Sequence, residues 1–168
     1  MNAQELRAHQ APLKERYKEH PESALVTLHA SGRTGENVTA VVGTWNGEVT
    51  AGLHPATGGD GKSACSGDML LEALVACSAV TLAAVATAMG IELRSAHVHA
   101  EGDIDFRGTL GVSKETPVGF QRIRLRFELD TDASEGQLAT LLKLTERYCV
   151  VYQTLRRPPE IDLVLAVP

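Results

Sequence analysis

The chain has 168 residues, 43% of them hydrophobic, and a formal net charge of −5. That length suits one compact domain. The acidic balance argues against a general nucleic-acid or anionic-membrane binder, which presents a basic face. Three cysteines cannot all pair within one chain and are too sparse for a secreted disulfide scaffold, so a reducing cytoplasm is the expected setting.

The N-terminal stretch, Met1 to Glu19, mixes Lys14, Glu15, Arg16, Lys18 and Glu19 with few apolar residues. It contains no hydrophobic run of the kind a signal peptide needs. Residues Ala3 to Lys18 read as an amphiphilic helix stopped by Pro21, and residues 1–22 as an N-terminal extension to a single domain over 23–168. Three short strands are expected next, Ala24 to Ala30, Asn37 to Gly43 and Glu48 to Leu53. Turns at Ser31 to Gly35 and Trp45 to Gly47 would join them into an antiparallel meander. A glycine-rich loop, His54 to Lys62, then leads into a long, almost uncharged helix, Ser66 to Met89. Ser66 suits its N-cap, Asp68 its first turn and Gly90 its end.

This helix is long enough to span a bilayer and carries one charge, Glu72, between Met69 and Met89. Its alanines, Ser78, Thr81 and Thr87, and the lack of flanking aromatics, favour a central helix of a globular core or dimer. Two longer strands follow, His97 to Arg107 and Phe120 to Asp130. In the second, Ile123, Leu125, Phe127 and Leu129 alternate with Arg122, Arg124, Arg126 and Glu128, the pattern of a strand buried on one face. The acidic outer face of the first strand can pair with these arginines across the ladder. Ser134 to Gln137 forms a capping box for a second helix, on which Leu138, Leu142, Thr145 and Cys149 share a face. Pro158-Pro159 breaks that run, and Ile161 to Val167 reads as a closing strand. The order of elements indicates an α+β fold.

Cys77 lies deep in the long helix and Cys149 near the end of the second. Two readings stand side by side: inert packing, because free cysteine is among the most buried residue types, or a guarded reactive pair. A reactive Cys77 needs its pKa lowered from the ordinary value of about 8.5. It lies three turns from its helix N-terminus, so a cation from another segment is the expected activator. Cys65, in the loop before the helix, reads as a half-buried loop thiol. His97 and His99 share a strand face, yet neither a CxxC nor an HExxH motif is present, so no metal site is expected. Gly61-Lys62-Ser63 lacks the upstream glycine of a phosphate loop, for Ala56 stands there.

Two segments carry a family resemblance: Gly58-Gly59-Asp60-Gly61 with Ser66 to Cys77, and Glu146-Arg147-Tyr148-Cys149 with Val150 to Leu155. Together with the element order and cysteine spacing, they resemble the osmotically induced and organic-hydroperoxide-resistance proteins (OsmC/Ohr) over Leu25 to Val167. The resemblance implies an OsmC-like fold, with antiparallel strands around two central cysteine-bearing helices in an intertwined homodimer. It implies a thiol peroxidase of oxidative-stress defence that reduces small organic hydroperoxides. Cys77 would be the peroxidatic thiolate and Cys149 the resolving thiol, with an external thiol or dithiol as reductant and no bound cofactor. Arg33, in Gly32-Arg33-Thr34-Gly35, resembles the turn that carries the family's activating arginine.

Two departures stand out. Where the family often has Pro-Glu at the start of the first helix, this chain has Gly67-Asp68. Asp68 lies about 13 Å along the axis from Cys77 and on the opposite face, so it would act from a partner subunit or by holding another segment. After Cys149 the family commonly has proline, and this chain has Val150. An apolar pocket lined by Leu70, Leu74, Val80 and Tyr148 would select organic peroxides. The alternative functions are a non-catalytic small-molecule binder, which the Pro-Glu departure favours, and a redox sensor that does not turn over.

Overall fold

The computed structural model describes residues 1–167. Helix α1 (Ala3–Glu19) begins with a capping box, in which the Asn2 side chain accepts the Glu5 N–H and the Glu5 carboxylate accepts the Asn2 N–H. Its half-buried residues Ala3, Leu6, Gln10 and Tyr17 fall on one side. Four strands, β1 (Gly32–Thr34), β2 (Ala40–Thr44), β3 (Gly47–Gly52) and β4 (Ala64–Cys65), form one sheet in the order β1-β2-β3-β4. β4 runs parallel to β3, whereas the other pairs are antiparallel. The sheet is therefore mixed, and the purely antiparallel expectation is corrected.

Helix α2 (Ser66–Met89) follows β4 directly. Its N-cap is Cys65 rather than Ser66, and Gly90 terminates it in the left-handed conformation at φ 68. Strands β5 (Ser95–Asp103) and β6 (Arg122–Asp130) pair antiparallel, with the short helix α3 (Phe106–Thr109) between them. Helix α4 (Glu135–Tyr148) starts at the expected Ser134–Gln137 capping box, and α5 (Val150–Arg156) continues after a break at Cys149.

The core lies where α2 meets α4 and β6. Leu74, Ser78, Leu82 and Ala86 recur every four residues on α2 and are its buried stripe. Leu82, Ala86, Ile91 and Leu141 form the main apolar cluster, with Phe127 and Leu129 of β6 packed against it. On α4 the buried residues are Leu141 and Thr145, while Leu142 is exposed. The expected stripe is thus displaced by one residue at that turn.

The outer charges of the β5–β6 ribbon pair as anticipated. Arg124 bonds Glu101 at 3.2 Å and also reaches Asp103, and His99 lies 3.7 Å from Glu128. β5 ends at Asp103, earlier than expected, because the Asp105 carboxylate caps α3 by accepting the Arg107 N–H.

Three further expectations differ from the structure. Gly32–Thr34, read as a turn, is strand β1. Ala24 ends a short 3-10 turn, and 25–30 carries no strand. Residues 161–167 carry no strand either, and Leu163 is 98% exposed. Both segments have strand-like patterns but find no pairing partner within the one chain. α2 is likewise only partly covered, with Val80 71% exposed.

Candidate active site

Ser78, on the buried stripe of α2, faces Cys149 at the junction of α4 and α5. Ser78 Oγ lies 3.3 Å from Cys149 Sγ, and neither side chain is open to solvent. Cys77, one residue back along α2, is half-buried beside the same thiol. Cys149 has an extended backbone, φ −73 and ψ 108, which interrupts the helix without unravelling it. Its N–H donates to the Thr145 carbonyl, and its own carbonyl accepts the Gln153 N–H at 2.9 Å. The interruption begins a new helical turn whose first N–H groups have no intrahelical acceptor.

Those N–H groups meet Cys77. Burial alone pushes the Cys77 thiol up, but hydrogen bonds outweigh it and hold the group below the ordinary cysteine value. The donors are the Val151 N–H, the Cys149 thiol, the Val150 N–H and the Thr81 hydroxyl. Three of the four donors belong to another segment and one, Thr81, to α2 itself, so the environment of Cys77 is drawn from both. Within the chain, however, it consists of neutral donors rather than a cation. Thr81 lies four residues beyond Cys77 on the same helix face, a spacing visible in the sequence. Ser78, Val150 and Val151 carried no such signal, because their roles depend on the break at Cys149.

The chain therefore brings Cys77 and Cys149 together. It does not bring Arg33 or Asp68 to them. Arg33 is on β1, at the far edge of the sheet from β4, where its guanidinium bonds Glu48 at 2.7 and 3.3 Å. That hydrogen bond and charge raise the Arg33 pKa and lower that of Glu48. Asp68 is exposed near the start of α2, beside a cavity that also touches His54 and Cys65. The ring of His54 stacks on Phe106 at 5.0 Å. Among the described residues, no group of three histidine, cysteine or acidic side chains is placed to hold a metal ion.

A cavity of about 480 Å³ opens against Cys149 and Ser78 and is walled by Leu125, Phe127 and Leu142. It is apolar in part, but none of Leu70, Leu74, Val80 and Tyr148 lines it. Leu74 is in the core, Val80 is on the uncovered face of α2, and Tyr148 lines a neighbouring groove. Tyr152, at the wall of the Cys149 cavity, donates to Glu146 at 2.9 Å.

Comparison with solved structures finds the same fold at low identity. An OsmC-like protein from Mycoplasma pneumoniae superposes with a TM-score of 0.66 at 19% identity, covering 79% of this chain and 89% of that one. An organic hydroperoxide resistance protein OsmC from Legionella pneumophila gives a TM-score of 0.62 at 18% identity, covering 79% and 91%. One from Elizabethkingia anophelis, with thiocyanate bound, gives 0.62 at 17% identity, covering 80% and 91%. No curated protein matches the sequence. The family model for OsmC-like protein matches residues 59–164, a span that includes both Cys77 and Cys149, and the chain belongs to the OsmC-like protein family.

Proposed function

We propose that the protein is a thiol-dependent peroxidase that reduces organic hydroperoxides through Cys77 and Cys149. The observation that carries this reading is the pairing of the two thiols, with donors from Val150, Val151 and Thr81 favouring the Cys77 thiolate. Packing alone does not require such donors around a half-buried sulfur. They act as a thiolate site does, by favouring the charged nucleophile over the thiol.

The Cys77 thiolate attacks the distal peroxide oxygen. The O–O bond breaks, the alkoxide leaves and is protonated to an alcohol, and Cys77 becomes a sulfenic acid. Cys149 then attacks the Cys77 sulfur and expels the sulfenic oxygen as water, leaving a Cys77–Cys149 disulfide. An external thiol or dithiol supplies two electrons to restore the pair. Ser78 holds Cys149 in place for the second step through the 3.3 Å contact. The reducing cytoplasm supplies the setting in which that cycle runs.

The working unit in this proposal is a homodimer. The accessible surface of the chain is 12936 Å², whereas a folded monomer of 18.0 kDa exposes about 8,000 Å². The difference of about 5,000 Å² includes the uncovered face of α2 and the apolar segments around Leu28 and Leu163. In such a dimer, Arg33 and Asp68 of a second copy are the candidates to orient the peroxide at Cys77.

The test is consumption of cumene hydroperoxide with dithiothreitol by the wild type, Cys77→Ser and Cys149→Ser. Loss of all activity in Cys77→Ser, with a trappable sulfenic acid in Cys149→Ser, is the expected result. Equal consumption by the wild type and Cys77→Ser would overturn the assignment.

A further inference from the structure

Beside the Cys149 cavity lies a broad groove of about 840 Å³ between α4 and α5. Lys143 and Glu146 line both spaces, so the two are contiguous. The groove also carries Arg147, Gln153 and Arg157. Lys143, Arg147 and Arg157 are exposed, and none forms a side-chain ion pair among the described residues. Glu146, the one acidic side chain on the groove, is taken up by the Tyr152 hydroxyl and lies 3.9 Å from Arg156. On a chain with a net charge of −5, this is a local concentration of positive charge beside a cavity whose wall includes Cys149.

The direction of that opening matters for thiol exchange. The cavity touches Cys149 and Ser78, whereas Cys77 is not part of its wall. A thiolate displaces one sulfur of a disulfide by approaching the sulfur it attacks, with the other sulfur leaving. A thiol lodged in this cavity lies against Cys149, which is 1% exposed in the reduced chain, so its attack requires Cys149 to come forward as it bonds to Cys77, with Cys77 as the leaving sulfur.

We propose that the groove formed by Lys143, Arg147 and Arg157 binds the anionic end of the thiol that reduces the enzyme, and that this thiol attacks Cys149 through the adjoining cavity. The inference rests on the peroxidase reading for its biological purpose. In the step, the incoming thiolate forms a bond to Cys149 Sγ as the Cys77–Cys149 bond breaks, and the electron pair leaves on Cys77 as its thiolate. A second thiol, from the same dithiol or another molecule, then displaces Cys149 and takes up the reductant sulfur as an oxidised disulfide. Two electrons pass to the enzyme, and the Cys149 thiolate is protonated. The hydrogen bonds that favour the Cys77 thiolate also make it the better leaving group.

The experiment uses the full chain in a Cys65→Ser background, with the Cys77–Cys149 disulfide formed by diamide so that peroxide chemistry is not needed. Three monothiols are compared at low salt and at equal thiolate concentration: 3-mercaptopropionate, 2-mercaptoethanol and cysteamine. The carboxylate-bearing thiol is expected to react roughly fivefold to tenfold faster than cysteamine, and high salt to erase the difference. The double substitution Arg147→Glu and Arg157→Glu, at exposed positions, is expected to reverse the order. Peptide mapping is expected to find the mixed disulfide on Cys149.

Equal rates for the three thiols, a mixed disulfide on Cys77, or failure of diamide to join the two cysteines would overturn the proposal. If the charge preference and Cys149 mapping hold but the reduced protein does not consume cumene hydroperoxide, the peroxidase reading fails while the docking groove stands.

Discussion

Val150 occupies a position where the OsmC/Ohr family commonly has proline, a residue without an N–H. Here the Val150 N–H is one of the donors that favour the Cys77 thiolate, so the departure adds a group to the site. Val150→Pro removes that donor and leaves those of Val151, Cys149 and Thr81. The expected outcome is a rise in the Cys77 pKa, read from the pH dependence of iodoacetamide alkylation mapped to Cys77. In the wild type, hydrogen bonding holds the Cys77 pKa below its ordinary value, so alkylation persists to lower pH than for an unassisted thiol and falls away as pH drops through the folded-state pKa. An identical pH profile in the two proteins would rule the Val150 N–H out. The two cysteines were legible from sequence because each sits in a recognisable helix; Thr81, four residues from Cys77 on the same face, was open to the same reasoning but stood only as a polar residue of the helix. The N–H donors were not legible, because backbone groups become available only where the helix breaks, and nothing in the residue types around Cys149 announces that break.

At the scale of elements, α2 derives its place from a buried stripe and the β5–β6 ribbon from alternation. Their polar and apolar contacts are unequal in energy. Leu82 fills the cluster between α2 and α4 and is 1% exposed. Leu82→Ala is expected to cost about 3 kcal/mol in urea unfolding, from lost burial and the cavity left behind. Arg124 makes ion pairs to Glu101 and Asp103 on an exposed face, where solvent screens them, and Arg124→Ala is expected to cost much less than Leu82→Ala. A larger loss for Arg124→Ala than for Leu82→Ala would contradict this order. The one-sided strands, the Ser134 capping box and the Gly90 terminus were readable because local chemistry decides them. The one capping box expected from sequence was at Ser134, and the one at Asn2 was found in the structure. Arg33 was misplaced on a turn because three residues carry too little pattern to distinguish a short strand. The segments at 25–30 and 161–167 have the composition of strands, but pairing depends on a neighbour that composition does not identify.

For the whole molecule, the proposed homodimer assigns the large exposed area to cover by a second copy. Light scattering is expected to give a mass twice 18.0 kDa, and Val80→Glu, which places a charge on the uncovered face of α2, is expected to shift the protein toward the monomer. A wild type that runs at 18.0 kDa would remove the dimer from the proposal. The account as a whole depends on Cys77 and Cys149 acting as one redox pair, with Cys65 outside it. The most direct measurement is treatment of the fully reduced protein with one equivalent of cumene hydroperoxide, followed by alkylation and peptide mapping. The expected product is a Cys77–Cys149 disulfide with Cys65 alkylated. Recovery of both Cys77 and Cys149 as free, alkylated thiols, with the peroxide unconsumed, would contradict it.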